Sequence, residues 1–75
     1  MGAEMHPVDS EAVARVGYDG DARELYVEFR SGRTYAYAGV TEETWRRLRE
    51  AESVGGFVNR VLKPRHAVRE VADGG

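Results

Sequence analysis

Alternation of apolar and polar residues dominates the first half of the chain. Leu25, Val27 and Phe29 alternate with polar neighbours, which is the pattern of an antiparallel strand with one buried face. Two further runs, 12–18 and 33–38, alternate in a similar way, and segments containing glycine, serine or aspartate separate the three runs. We therefore predict a three-stranded antiparallel β-meander.

Two details of this meander depend on register. Period two along the first run places Val16 and Tyr18 on one face of the strand and Val13 on the other. Ser31 and Gly32 suit a two-residue hairpin connection, because glycine adopts the positive φ that such turns require. The second and third strands are therefore expected to pair as a tight hairpin.

Helical spacing replaces alternation in the second half. Apolar residues recur every third position from Trp45 to Ala51, and Thr41 precedes them as a cap. A second helix is expected to begin after Ser53 and to stop at Pro64. The sequence therefore predicts an α+β domain, in which the three-stranded antiparallel β-meander is followed by two short helices packed on one face.

The predicted elements occupy 8–66 and form a single domain, because a chain of 75 residues has room for one hydrophobic core. Residues 1–7 are expected to be an irregular lead-in, since Pro7 disfavours regular structure. Residues 67–75 show no strong period and are expected to form a flexible tail.

The composition of the chain excludes several kinds of bond and site and indicates where the protein acts. The chain has no cysteine, which excludes disulfide bonds and thiolate metal sites. No apolar run approaches the roughly 20 residues that a membrane-spanning helix needs, and the N-terminal segment lacks the basic and apolar regions of a secretion signal. We expect a cytoplasmic protein, without a membrane partner, that is a monomer or a homodimer.

Several short motifs follow one another along the chain. They are Val-Gly-Tyr-Asp at 16–19, Leu-Tyr-Val-Glu-Phe at 25–29, Ser-Gly at 31–32, Tyr-Ala-Tyr at 35–37, Gly-Val at 39–40 and Ala-Glu-Ser-Val-Gly-Gly-Phe-Val-Asn at 51–59. In this order they resemble the KTSC domain, a small module named for its occurrence at the C-terminus of some bacterial lysyl-tRNA synthetases. One departure is Thr41, where the family pattern has proline. The resemblance implies a bacterial intracellular setting and no known activity, and it suggests RNA by association with the synthetase.

Two tyrosines, Tyr35 and Tyr37, share one face of the third predicted strand. With Tyr26 on the neighbouring strand, they could form a platform on which exposed RNA bases stack. Alternatively, the rings pack beneath the helices and keep their hydroxyls in water. The sequence does not fix the strand register, so both interpretations stay open.

Basic side chains cluster near the end of the second predicted helix. Arg60, Lys63 and Arg65 have no acidic residue among them and could contact phosphates. The formal net charge is −2 at pH 7, so a solvated helix surface is the competing interpretation. Asn59 lies one turn beyond the start of that helix and is a further candidate ligand-binding side chain.

The sequence shows no paired nucleophile and base, no metal-ligand cluster and no nucleotide-binding loop, so no catalytic, metal or cofactor-binding residue is assigned. Our first hypothesis is a non-enzymatic binding module for RNA such as tRNA. The second is a protein-interaction module that dimerises through an exposed sheet face or edge strand. A distant third is a carrier protein that uses the terminal Gly74 and Gly75.

Overall fold

The structure is a computed structural model, and it describes residues 3–71. Strands β1 to β4 span Met5–Pro7, Val13–Asp19, Glu24–Phe29 and Thr34–Tyr37; helices α1 and α2 span Glu42–Glu50 and Val54–Phe57; a π-helical segment follows at Val58–Leu62, and strand β5 spans Val68–Val71. None of the described helices is long and apolar enough to cross a membrane. The α+β class predicted from the sequence is confirmed.

All five strands form one antiparallel sheet in the order β1-β2-β3-β4-β5. The predicted meander corresponds to β2, β3 and β4, so its three strands are present. The predicted number is corrected to five, because the sheet gains one strand at each edge.

Strand β1 lies within the segment that was expected to be irregular. His6 pairs with Val16, and Pro7 pairs with Arg15. Proline is tolerated here because an edge strand leaves one row of its amides without a sheet partner. Three residues are too few to show a period of two, so the sequence pattern does not reveal this strand. The expectation for the lead-in is corrected at Met5–Pro7.

Strand β5 lies within the segment that was expected to be flexible. In its register with β4, Val68 lies opposite Tyr37. Three of its four residues are exposed, so β5 contributes little to the core and shows no apolar pattern that predicts a strand. Its stabilisation comes from pairing with β4. The flexible-tail expectation is therefore corrected as far as Val71. The pair Gly74 and Gly75 lies outside the described part of the chain.

A β-bulge in β2 changes which side chains reach the core. Val13 lies opposite Phe29 and Arg15 lies opposite Glu28, so β2 carries one extra residue between these two pairs. The bulge brings Val13 to the same face as Val16, and both side chains are fully buried. Strict alternation places Val13 on the other face, and that prediction is wrong because the extra residue shifts the register.

The hairpin between β3 and β4 turns through three residues rather than two. The Phe29 amide donates to the Arg33 carbonyl at 2.8 Å, and the Gly32 amide donates to the Phe29 carbonyl at 2.9 Å. Gly32 has a φ of 100°, which glycine adopts without steric cost. Arg30, Ser31 and Gly32 are exposed at the tip. Arg30 in the tip and Arg33 directly after it therefore place two basic side chains at the surface.

Both helices pack on one face of the sheet and enclose one core. Leu25 and Val27 of β3 belong to the same fully buried cluster as Leu48 of α1 and Leu62 of the π-helical segment. Phe29 is partly buried and packs against this cluster. The inward face predicted for β3 is therefore confirmed.

The two predicted helix caps are also confirmed. Thr41 Oγ1 accepts a hydrogen bond from the Thr44 amide at 3.2 Å, and Ser53 Oγ accepts one from the Gly56 amide at 3.0 Å. Each cap satisfies an amide that the first helical turn leaves without a backbone partner. The second helix ends before Pro64, as predicted.

Candidate ligand-binding cleft

A cleft of about 830 Å³ lies between the tip of the β3–β4 hairpin and the end of the π-helical segment. Three aromatic rings and three basic side chains line it, with one acidic side chain among them. The lining residues are Glu11, Ala12, Phe29, Arg30, Ser31, Arg33, Tyr35, Tyr37, Lys63 and Val68. Ligand sites of roughly 300–1,000 Å³ commonly combine an apolar surface with a few polar groups, and this cleft has that character.

The strand register places the two predicted tyrosines on the helix-covered face. Tyr35 lies opposite Val27 and Tyr37 lies opposite Leu25, and both partners are core residues. Tyr37 is only 2% exposed, so it belongs to the core and forms the floor of the cleft. Tyr35 is half-buried and meets Phe29 edge-on, with ring centroids 5.7 Å apart and an interplanar angle of 73°. Of the two tyrosines, Tyr35 is therefore the one that a ligand can reach.

The floor of the cleft carries no charge at neutral pH, because a tyrosine hydroxyl ionises only in alkali. Desolvation raises the pKa of Tyr37 above its usual value, and the neighbouring Tyr35 hydroxyl raises that pKa further. Tyr37 therefore remains protonated at neutral pH. The charge of the cleft is determined by its rim.

Two exposed positive side chains lie at the mouth of the cleft. Arg33 and Lys63 are both exposed and lie on different walls. Arg33 makes a 3.4 Å ion pair with Glu70, and the two side chains are 65% and 51% exposed. An exposed pair of this kind contributes about 0–1 kcal/mol, so Arg33 can exchange it for an anionic ligand at little cost. Arg30 has a structural contact, because its Nε donates to the Ser10 carbonyl at 2.8 Å.

The π-helical segment positions Lys63. The Lys63 amide donates to the Val58 carbonyl at 2.9 Å, a bond between residues five apart rather than the four of an α-helix. The wider turn rotates the residues that follow it relative to a regular helix. Val58 and Leu62 stay buried while Lys63 lines the cleft. Such π-helical turns are frequent at functional sites, and this one brings a cation to the candidate site.

The third predicted tyrosine lies on the opposite face of the sheet. Tyr26 pairs with Gly17 on one side and Ala36 on the other, and its neighbours along β3 face the core. Its hydroxyl donates to Glu24 Oε1 at 2.9 Å, and this hydrogen bond raises the pKa of Tyr26. The sheet separates Tyr26 from Tyr35, so the two rings do not form one stacking surface.

The other predicted residues do not line this cleft. Asn59 is exposed and lines a separate polar hollow beside the start of α2. Arg60 folds back along its helix, since a Cβ added to Gly56 would lie 2.8 Å from Arg60 Nη1. Arg65 is exposed in the turn after the π-helical segment. Of the predicted basic residues, Lys63 is the one that lines the cleft.

Several cleft residues have no role in the sequence-based site. Phe29 is predicted for the core alone, Arg30 and Arg33 flank the hairpin turn, and Glu11 precedes β2. The sequence offers one signal that these residues belong to a site: basic residues lie on both sides of the turn that precedes the strand of Tyr35 and Tyr37. Their convergence with Glu11 depends on a tertiary contact, in which the Arg30 amide donates to the Ala12 carbonyl at 2.9 Å.

Fold and site together define a small α+β domain with a five-stranded antiparallel sheet, whose helix-covered face opens into an aromatic cleft with a basic rim. A sequence profile of the KTSC domain matches residues 9–66. The chain therefore belongs to the KTSC domain family, and the resemblance found in the sequence motifs is confirmed.

Relatives of this chain match it over most of their own length. A protein from Tsukamurella paurometabola is 44% identical over 61 residues, which cover 81% of this chain and 91% of the relative. An uncharacterized protein from Stutzerimonas stutzeri is 41% identical over 59 residues, which cover 79% of this chain and 83% of the relative. The crystal structure of the KTSC domain protein YPO2434 from Yersinia pestis superimposes with a TM-score of 0.88 at 34% identity, over 93% of this chain and 99% of that chain. The fold is therefore shared with a solved member of the family.

Proposed function

We propose that this KTSC domain is a non-enzymatic RNA-binding module of the cytoplasm, and that its cleft receives one exposed nucleotide of a looped or single-stranded segment such as those of tRNA. The observation that carries the proposal is one partly exposed ring, Tyr35, in the same cleft as the cations Arg33 and Lys63. Proteins that bind unpaired RNA stack bases on aromatic rings and contact phosphates through basic side chains.

Each part of a nucleotide has a counterpart in the cleft. The base stacks on Tyr35, whose orientation is fixed by its edge-on contact with Phe29. The phosphate lies between Arg33 and Lys63 at the rim. The formal net charge of −2 provides no overall attraction for RNA, so recognition depends on this local arrangement.

Fluorescence anisotropy with a labelled single-stranded RNA and with tRNA tests the proposal at several salt concentrations. The affinity should fall as salt rises, because each contacted phosphate releases bound counterions. Tyr35→Ala should weaken binding about tenfold, since stacking contributes about 1–3 kcal/mol per base. Lys63→Ala should weaken binding to all sequences alike and reduce the salt dependence by about one phosphate contact.

The matched control is Arg47→Ala, which removes an exposed cation on α1 that does not line the cleft. This variant should bind RNA as the unmodified protein does. The proposal is wrong if affinity is independent of salt, or if Tyr35→Ala and Lys63→Ala retain full affinity. Equal losses of RNA affinity in Lys63→Ala and Arg47→Ala would also contradict the proposal, because they would indicate general electrostatic attraction and not binding in the cleft.

A protein partner is the second candidate function, and the free edge of β5 favours it. Within the described sheet, β5 pairs with β4 alone, and Val68 is 50% exposed. An edge strand offers its backbone groups to a strand of another chain. Sedimentation velocity over a range of protein concentrations tests self-association. A dimer that Val68→Lys abolishes would support this function, whereas a monomer at all concentrations would exclude dimerisation.

A further inference from the structure

Glu11 is the one acid that lines the cleft, as far as residues 3–71 define it, and the other charged lining residues are cations. A carboxylate in this position repels a phosphate. An RNA phosphate is therefore directed toward Arg33 and Lys63, which leaves Glu11 to accept hydrogen bonds from a donor group of the nucleotide.

The segment that carries Glu11 is hydrogen-bonded to Arg30 at the neighbouring hairpin tip. The carbonyl of Ser10 accepts from Arg30 Nε at 2.8 Å, and the carbonyl of Ala12 accepts from the Arg30 amide at 2.9 Å. Ser10 Oγ also accepts from the amides of Ala12 and Val13, at 3.3 and 3.2 Å. The residues on both sides of Glu11 are therefore held by hydrogen bonds, and the carboxylate starts from a fixed backbone.

The chemistry of a carboxylate discriminates among the four bases. Its two oxygens accept hydrogen bonds and donate none when ionised. Guanine presents two adjacent donors on its Watson–Crick edge, the N1–H and the N2 amino group, and these match the two oxygens of one carboxylate. Adenine, cytosine and uracil each place a ring or carbonyl acceptor beside their single donor group, so the second oxygen of the carboxylate would face a lone pair.

We propose that Glu11 is a specificity-determining residue that makes the cleft selective for guanine, so that the bound nucleotide is a guanosine of the RNA. This inference rests on the proposed function and adds the identity of the base to it. The guanine stacks on Tyr35 and donates to Glu11, while its phosphate faces Lys63. Three different groups of the ligand thus have three different partners.

Binding of short oligouridines that carry one central guanosine, inosine, adenosine or cytidine tests the inference. The guanosine oligonucleotide should bind about tenfold more tightly than oligouridine, since one two-point contact discriminates by about that factor or more. Inosine lacks the N2 amino group and should give an intermediate affinity. Glu11→Gln should reduce the preference for guanosine to about twofold or less, because the amide replaces one acceptor with a donor. Glu52→Gln, an exposed acid outside this cleft, is the matched control and should keep the preference.

The outcomes separate this inference from the function on which it rests. Two results would overturn the role of Glu11 and leave RNA binding in place. The first is binding that depends on salt and on Tyr35 but not on the base. The second is a guanosine preference that survives Glu11→Gln. Absence of salt-dependent binding to every oligonucleotide would overturn the proposed function. If guanosine monophosphate binds as tightly as the guanosine oligonucleotide, the cleft is selective for guanine but the ligand is a free nucleotide. That result would overturn the inference that the bound guanosine belongs to RNA.

Discussion

Arg69 of β5 donates through Nη2 to both carboxylate oxygens of Glu24 in β3, at 3.0 and 3.2 Å, across the strand that lies between them. Ala36 occupies that middle strand, in register with Tyr26 on one side and Arg69 on the other. Ala36 is 1% exposed although it faces away from the helices. This ion pair connects β5 to β3, the central strand of the sheet.

The first prediction concerns the pH dependence of this contact. The hydrogen bond from Arg69, and then the one from Tyr26, lower the pKa of Glu24 below its usual value of 4.5. A group whose pKa is lower in the folded state contributes stability above its unfolded pKa and loses that contribution as the pH falls through the folded one. Glu24→Gln should therefore lower the Tm at neutral pH, and the difference from the unmodified protein should shrink in acid below pH 4.5.

Thermal unfolding followed by circular dichroism from neutral to acidic pH measures this difference. Glu50→Gln, at the exposed end of α1, is the matched control and should show little difference at any pH. A Tm difference for Glu24→Gln that persists unchanged in strong acid would contradict the assigned contact.

The second prediction concerns the close approach of β1 to β2. A Cβ added to Gly17 would lie 2.6 Å from the carbonyl oxygen of Glu4 and 2.6 Å from Met5 Sδ. The backbone oxygen cannot move away without displacing the strand, so Gly17→Ala should destabilise the fold by about 1–3 kcal/mol. Amide exchange should accelerate in β1 before it does elsewhere. At Gly20 the nearest atom is Tyr18 Cε2 at 3.8 Å, so Gly20→Ala should change stability by less than about 0.5 kcal/mol in urea unfolding.

The third prediction concerns the cap of the helix that leads to Lys63. Ser53→Ala removes the acceptor for the Gly56 amide and should cost about 1 kcal/mol of stability in urea unfolding. Ser53→Asp supplies a carboxylate oxygen in place of the hydroxyl as the acceptor and should restore most of that loss. If Ser53→Asp is as unstable as Ser53→Ala, the side chain stabilises the fold by some contact other than capping.

The fourth prediction concerns the attachment of α1 to the core. Leu48 is the buried residue of α1, and it is fully inaccessible. Leu48→Ala should cost about 2–5 kcal/mol, which is comparable to the roughly 3–5 kcal/mol expected for a domain of this size. The variant should therefore lack a cooperative unfolding transition at room temperature. Arg47→Ala, at the exposed neighbouring position, should unfold as the unmodified protein does, and a stable Leu48→Ala domain would show that the core does not depend on the Leu48 side chain.

Local signals explain which parts of the fold are predictable from the sequence. The inward face of β3 and the caps Thr41 and Ser53 depend on neighbouring residues alone, and they are correct. β1 and β5 are not predictable in this way, since each is short and is stabilised by an edge that another strand provides. The placement of Val13 depends on a bulge, and alternation alone carries no signal for an extra residue.

In the candidate cleft, too, some residues are predictable from local signals and others are not. Tyr35, Tyr37 and Lys63 are recognisable as candidates from the sequence, and all three line the cleft. The split between Tyr37 in the floor and Tyr35 within reach of a ligand depends on burial in the folded chain. Glu11 joins them only because its loop is hydrogen-bonded to the hairpin tip, which is a contact between distant parts of the sequence.

The strand order has a consequence for how the domain folds. β1, β2 and β3 each pair with the next strand along the chain across a short connection, so these three pairings should form early. Pairing of β4 with β5 instead has to enclose residues 38–67, which contain both helices. Val68 and Lys63 reach the cleft only once this longest loop has closed. In refolding experiments, formation of the cleft should therefore lag behind formation of the central hairpin.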